Sequence, residues 1–375
     1  MSITQSAVDP DGLREFSVVF TDRSLNHMSA RFQSVMRGLG TELKNVYNAD
    51  AVALVPGGGT FAMEAVARQV ATDKKVLIVR NGWFSFRWSQ ILDAGNMTSD
   101  PIVIKAQRQS DEANAPFAPA PIDDVVARIE AEKPDVVFAP HVETSAGVIL
   151  PDDYLSALGN AAHNVGAIFI LDCVASGCIW VDMAKTNVDL LITAPQKGWS
   201  ATPCTGAVLM SERGLNRVKA SKSTSFACDL GKWREIMEAY ENGGHAYHAT
   251  MPTDGIVKFY EGLLETKEHG FNTMCDAQWA LGNRVRALLN EHGYQSVAGE
   301  GFGAPGVVVS YTDDSAIKNG SKFSALGLQI AAGVPLECDE PEGFSTFRIG
   351  LFGLDKLTDI DSTVAKLSGA LERLD

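Results

Sequence analysis

The sequence predicts an α/β protein: a large domain on a mostly parallel sheet, followed by a smaller α+β C-terminal domain. Three observations carry this. Short apolar runs bounded by turn residues recur at 51–55, 76–79, 136–139, 168–171, 188–193 and 207–210, and such runs read as buried strands. Segments with helical spacing of apolar residues lie between several of them, which is the alternation of βαβ units. Beyond residue 300 a second, shorter strand and helix pattern begins. The 375 residues suffice for two cores, and there is no internal repeat.

Charge and composition narrow the function. The net charge is −14, with 45% hydrophobic residues and a mean hydropathy of −0.01. An acidic chain is a poor partner for nucleic acid or an anionic membrane, since a phosphate polymer wants a basic face. The six cysteines form no C-x-x-C pair and no His cluster accompanies them at zinc spacing, so reduced, mostly buried thiols and no metal are expected. The first residues lack a basic-then-apolar leader pattern and no apolar run approaches membrane-spanning length; a cytoplasmic protein is the expectation.

In chain order, residues 1–16 read as an extended polar arm. Residues 24–46 place Met28, Phe32, Val35, Met36, Leu39, Leu43 and Val46 on one helical face, with Ser24 as cap and His27 on the helix surface or at an interface. Strand 51–55 runs into Gly57-Gly58-Gly59-Thr60 and a helical pattern. Strand, glycine turn, helix start makes an anion cup, because bare backbone lets N–H groups approach a phosphate at a helix N-terminus. Gly57-x-Gly59-x-x-Ala62 also matches a loose dinucleotide fingerprint, so a nicotinamide oxidoreductase is a rival. That rival needs an acid at the end of the next strand, where Arg80-Asn81 stand instead. Aromatics crowd 83–88. Residues 107–122 read as a surface loop and 125–132 as a helix. Strand 136–139 ends in Pro140-His141-Val142-Glu143-Thr144-Ser145-Ala146-Gly147, with His141 read as a buried, hydrogen-bonded residue. Pro151 opens a helix to 165. Residues 211–221 form a basic, solvated helix, and 222–250 are less regular. Residues 255–291 are helical with a break near Gly270. Strands at 307–311 and 346–350, a helix at 323–331 and a last helix from about 359 complete the small domain.

The chemistry gathers at 167–210. One apolar run stops on Asp172 and the next just before Gln196-Lys197. Ligands of open α/β sheets sit at strand ends, so this acid and this lysine can meet in one crevice. A pyridine cofactor needs an anion at its ring nitrogen and a lysine to form an imine with its aldehyde. Taken alone, the pair reads equally as a strand-end aspartate and a surface lysine.

Asp172-x-Val174, Gln196-Lys197-Gly198, the cup, the E-T-S turn at 143–145, Tyr247-x-x-Thr250 and Arg348-Ile349-Gly350 occur in an order that resembles the class V aminotransferases of the fold-type-I pyridoxal 5'-phosphate (PLP) enzymes, on the alanine/serine–glyoxylate (pyruvate) branch. The resemblance spans about residues 50–355. It implies a large PLP-binding domain over 1–250 with a mostly parallel seven-stranded sheet, and a linking helix with a small domain over 251–375. It further implies that Lys197 carries the cofactor and is the base, while Asp172 faces the pyridine nitrogen and Val174 packs on the ring. Phe84 stacks on that ring. Gly58, Gly59, Thr60 and Gln196 belong to the cofactor site. Thr144 and Ser145 meet the phenolic oxygen and border the substrate. Tyr247 and Thr250 reach the neighbouring subunit's phosphate in a homodimer with shared sites, and Arg348 binds the substrate carboxylate. The implied reaction is a ping-pong transfer from alanine or serine to glyoxylate or pyruvate. Departures from the pattern are Ser85 for Gly, Ala146 for Thr, Pro203-Cys204 for two prolines, and no Pro-Gly-Pro entry near the N-terminus. Arg87 reads as structural, although Arg23 and Arg87 are candidates to meet a second acidic group. A desulfurase or lyase of the same fold, with Cys338 as nucleophile, and a PLP-binding protein without turnover are the further alternatives.

Overall fold

A computed structural model describes residues 6–374; the first five residues of the expected arm lie outside the described residues. Seven strands form the large sheet: β1 (Ala51–Pro56), β2 (Val76–Arg80), β3 (Ile102–Lys105), β4 (Val136–Pro140), β5 (Ile168–Asp172), β6 (Leu190–Thr193) and β7 (Thr205–Met210). Their order is β1-β7-β6-β5-β4-β2-β3. β7 runs antiparallel to both neighbours, and every other pair is parallel. The strands other than β3 are buried almost throughout, as expected where helices cover both faces. β3, absent from the sequence reading, is a half-buried edge strand of four residues.

Ten helices matter here: α1 (Ala30–Tyr47), α2 (Gly59–Val70), α3 (Trp83–Ala94), α4 (Ile122–Glu132), α5 (Asp152–Asn164), α6 (Glu212–Lys219), α7 (Leu230–Glu241), α8 (Thr253–His269), α9 (Phe271–Glu291) and α10 (Ile360–Leu371). α1 starts later than the periodicity predicts. Its cap is Ser29, whose hydroxyl accepts the Phe32 N–H, and Met28 lies outside the helix and exposed. His27 is buried rather than on a surface, packed among the rings of Phe20, His245 and Tyr247. Two helices were not expected. α3 begins inside the aromatic cluster, where Trp and Phe hide the helical period. α7, capped by Asp229, lies in the stretch read as irregular and buries Leu230, Trp233, Ile236, Met237 and Tyr240.

The second sheet is antiparallel: β8 (Val307–Tyr311), β9 (Ala331–Ala332) and β10 (Thr346–Gly350), in the order β8-β10-β9. The helix expected at 323–331 spans only Ser321–Ala325, and the chain then pairs as β9. The stretch 107–122 is likewise no simple surface loop. Gln107–Arg108 pairs with Phe117–Ala118, and Phe117 is fully buried.

Three apolar clusters hold the fold. The largest surrounds the seven-stranded sheet and includes Ile256, Phe259 and Leu263 of α8. A second joins the turn after β4 (Val142, Val148, Ile149) to β8 (Val307, Val309, Tyr311). The third packs α9 and α10 on the small sheet through Leu281, Val285, Leu289, Phe347, Leu367 and Leu371. The second cluster matters most for the site, because it locks the β4 turn against the sheet that carries Arg348.

Candidate active site

β4, β5 and β6 are adjacent and parallel, so their C-terminal ends open on one edge. Asp172 pairs with Pro140 on one side and Ile192 on the other, five residues ahead of Lys197. β1 and β2 end on the same edge, which brings the Gly57–Thr60 turn and the start of α3 to it. The crevice is thus assembled from the ends of five strands.

Phe84 is the hub. Lys197 Nζ lies 6.0 Å from its ring centroid and 5.9 Å from that of Phe352. The guanidinium carbons of Arg87 and Arg348 lie 5.2 and 5.5 Å from the Phe84 centroid. Three cations therefore converge on one ring, and none of the three has a carboxylate within ion-pair distance among the described residues. Among the described residues Arg348 bonds only carbonyls: Nε donates to Ala332 O at 2.8 Å and Nη1 to Thr144 O at 3.5 Å. A half-buried guanidinium satisfied by neutral acceptors retains its net charge for an incoming anion.

The acid and the lysine have opposed tendencies. Burial pushes the Asp172 carboxyl up to about 6, partly offset by the Val174 N–H that donates to Oδ1 at 2.9 Å and by Lys197. Burial also lowers Lys197 from the usual ammonium range, against the pull of Asp172. Both groups are costly to keep charged in this crevice, which is the condition under which protons move between them and a ligand. His141 is buried, with Nδ1 2.7 Å from Ser176 Oγ and its ring pushed down to about 3 by burial, so it stays neutral.

The cup has open space at its mouth. Gly57 sits at φ +119°, and a Cβ on Gly58 would meet nothing within 4 Å. Gly59 opens α2, and a Cβ there would press on Val174 Cγ2 at 2.6 Å, so the cup and the ring-packing residue touch only because this position is bare. The first-turn N–H groups of α2 have no partner within the helix. Gln196 is exposed beside Lys197. Ser145 is buried: its Oγ accepts the Trp83 N–H at 2.9 Å and donates to Glu143 at 2.7 Å, so the hydroxyl faces inward. Thr144 is buried beside it. Tyr247 and Thr250 are exposed and bond each other at 3.1 Å; Tyr247 also packs on His27, and neither is joined to the cup of its own chain.

Two residues at the site, Glu143 and Phe352, had no role in the sequence reading, and a third, Arg87, was read as structural or as a candidate for a second acidic group. Glu143, fully buried, accepts from the Phe84, Ser85 and Ser145 N–H groups and the Ser85 and Ser145 hydroxyls at 2.7–3.2 Å. It caps α3 from another strand and so sets the height of Phe84, with Ser85, the residue in place of Gly, absorbed into the cap. A Glu just after a buried apolar strand was the available signal. Phe352 follows the Arg348-Ile349-Gly350 strand and had no local mark. Arg87 Nη1 donates to Thr60 Oγ1 at 3.0 Å, which puts it in the cup.

The donor set fits PLP. A half-buried carboxylate suits a pyridine N–H, and a lysine whose charged form is disfavoured by burial suits an aldehyde. An open helix N-terminus suits a phosphate, and an unpaired arginine a substrate acid. Cys338, the candidate of the rival lyase reading, is buried with its thiol pushed up to about 12, so it is not an activated nucleophile.

Known proteins share this fold. The family model "Aminotransferase class-V" matches residues 15–301. A 2-aminoethylphosphonate–pyruvate transaminase of Bacillus cereus is 27% identical over 92% of this chain and 90% of its own length. Its counterpart from Syntrophobacter fumaroxidans is also 27% identical, over 85% of this chain and 82% of its own. Among solved structures, alanine–glyoxylate aminotransferase from Nostoc sp. superposes with a TM-score of 0.78 at 21% identity, covering 93% and 89% of the two chains. Pyridoxamine–pyruvate aminotransferase from Mesorhizobium loti gives 0.77 at 19%, covering 93% and 86%. These superpositions establish the fold as PLP-transferase fold type I. The chain belongs to the class-V aminotransferase family and is a PLP-dependent transaminase.

Proposed function

We propose that the chain moves an amino group from a small L-amino acid, alanine or serine, to a small 2-oxo acid, glyoxylate or pyruvate, as a homodimer with shared sites. The observation that carries this is the Lys197–Phe84–Arg348 cluster together with half-buried Asp172, whose charge acts on Lys197. The relatives' pyruvate specificity supports pyruvate as acceptor. Gly58, Gly59, Thr60, Gln196 and, from the neighbouring subunit, Tyr247 and Thr250 hold the phosphate end. Phe84 and Val174 would hold the ring, and Thr144 would meet its phenolic oxygen. Ser145 acts by fixing Phe84 through Glu143.

When bound, PLP supplies an electron sink for the charge left by the α-proton. Lys197 Nζ accepts that proton; burial lowers the amine from the usual ammonium range, the direction a base requires. Asp172 would face the ring nitrogen, and burial, which raises the affinity of its carboxyl for a proton, would favour keeping a proton between the two. Arg348 holds the donor carboxylate and orients its α-carbon toward Lys197. A positioned base is typically worth about 10²–10⁴-fold, so orientation and the sink carry the remainder.

The test is a half-reaction. L-Alanine is added to yellow protein without an acceptor, and fading of the band with one pyruvate formed per subunit is expected. A band that persists with alanine and with serine overturns the donor assignment. 2-Aminoethylphosphonate, the donor of the relatives, is then the next donor to add, because an arginine held only by carbonyls accepts a phosphonate as readily as a carboxylate.

A further inference from the structure

The cup read from the sequence contains no charge. Gly57 through Thr60 are neutral, as are Tyr247 and Thr250, whereas a phosphate monoester carries roughly −1.5 to −2 at pH 7. Building on the PLP reading above, we propose that Arg87 is the cationic ligand of the cofactor's phosphate.

Four features argue for this. Arg87 Nη1 donates to Thr60 Oγ1 at 3.0 Å, so the guanidinium already stands at the cup. A hydroxyl that accepts from arginine has its own proton to give elsewhere, and the open side is the mouth in front of Gly58. Arg87 has no carboxylate partner among the described residues, and the planar fork has further N–H groups for a phosphate oxygen. Finally, its position is built rather than accidental. Phe84 and Arg87 are three apart in the first turn of α3, hence on one face, with Cζ 5.2 Å from the ring centroid. That turn is itself fixed by buried Glu143. One helix start thus presents both the ring platform and the phosphate's counter-charge, while the start of α2 presents its N–H groups. Lys197 and Arg348 are left for the reacting end.

The alternative use of Arg87 is to read a second acidic group on the donor, and the experiment separates the two. Cofactor is stripped from full-length wild type, Arg87→Gln and Arg87→Lys, and each is titrated with PLP and with pyridoxal, which lacks the phosphate. Expected for Arg87→Gln is a PLP Kd raised about tenfold or more, the scale of a lost charge-assisted hydrogen bond, with the pyridoxal Kd changed less than about twofold. Arg87→Lys should fall between. Inorganic phosphate should raise the melting temperature of the stripped wild type and not that of Arg87→Gln. The ratio of the two Kd values is internal to each variant, so a general loss of structure, which weakens both ligands alike, is visible as such. Equal weakening of PLP and pyridoxal in both variants, or an unchanged PLP Kd, overturns the proposal. So does a variant whose only defect is a raised KM for diacidic donors. Wild type that binds no PLP overturns the function reading itself, a distinct outcome.

Discussion

Replacing Asp172 with asparagine should stabilise the cofactor-free chain at neutral pH and abolish transamination. The carboxyl is pushed from its ordinary 3.8 to about 6 by burial, and its one hydrogen bond within the protein is the Val174 N–H. A displacement of about two pH units corresponds to ~3 kcal/mol. Because the folded-state value is raised, the protonated folded form is favoured: no cost is felt below about pH 4. The cost grows as pH rises through the folded value near 6, and it is full above about 7. Asparagine has nearly the same shape, keeps an oxygen for Val174 and carries no charge, so it removes this cost. The attraction to Lys197 is already contained in that displacement, so the gain is net of its loss. With an unfolding entropy of about 2 cal/mol/K per residue over 375 residues, ~3 kcal/mol is a rise in Tm of about 4 °C. Thermal unfolding of stripped wild type and Asp172→Asn at pH 4, 6 and 8, beside a transaminase assay, is the measurement. A gain equal at pH 4 and pH 8, or a loss at pH 8, refutes the reasoning.

Three further outcomes are expected. Lys197→Ala should fold and bind PLP but lack turnover. Mixed with an equally inactive Tyr247→Phe/Thr250→Ala variant, it should regain part of the activity, because each heterodimer would hold one intact site; mixtures that stay dead argue against sharing. Glu143→Ala leaves five donors around Phe84 and Ser145 without their acceptor and should cost about 3 kcal/mol or more in urea unfolding, with a weaker PLP Kd. Arg348→Gln should lower kcat/KM for carboxylate donors by about 10–100-fold while leaving the visible band of the bound cofactor in place; an unchanged kcat/KM would remove Arg348 from substrate binding.

Much of the large sheet was legible because its strands are central and covered on both faces. They read as short, nearly continuous apolar runs with turn residues at each end, and β5 through β7 were all visible this way. β3 was not, being a half-buried edge of four residues. Helices α3 and α7 were lost where aromatics or polar flanks mask the period, and the 323–331 segment was misread because β9 is two exposed residues held on β10 by backbone pairing and by the Arg348 side chain. Local pattern reports burial; it does not report pairing partners.

The same division holds at the site. The sequence by itself determined the chemistry available: an acid and a lysine at neighbouring strand ends, a bare glycine turn at a helix start, and an arginine inside an apolar strand. Those are statements about residue type and local backbone, which neighbours in the chain dictate. Only the tertiary structure decided the electrostatics. Arg87 meets Thr60 across 27 residues, Glu143 caps a helix 58 residues before it, and Arg348 reaches Thr144 across 204. These contacts arise because five parallel strand ends share one edge and the β4 turn is clamped to the small sheet by a common apolar cluster. Burial, and with it the displaced proton affinities of Asp172 and Lys197, belongs to that assembly and to no segment of the chain alone.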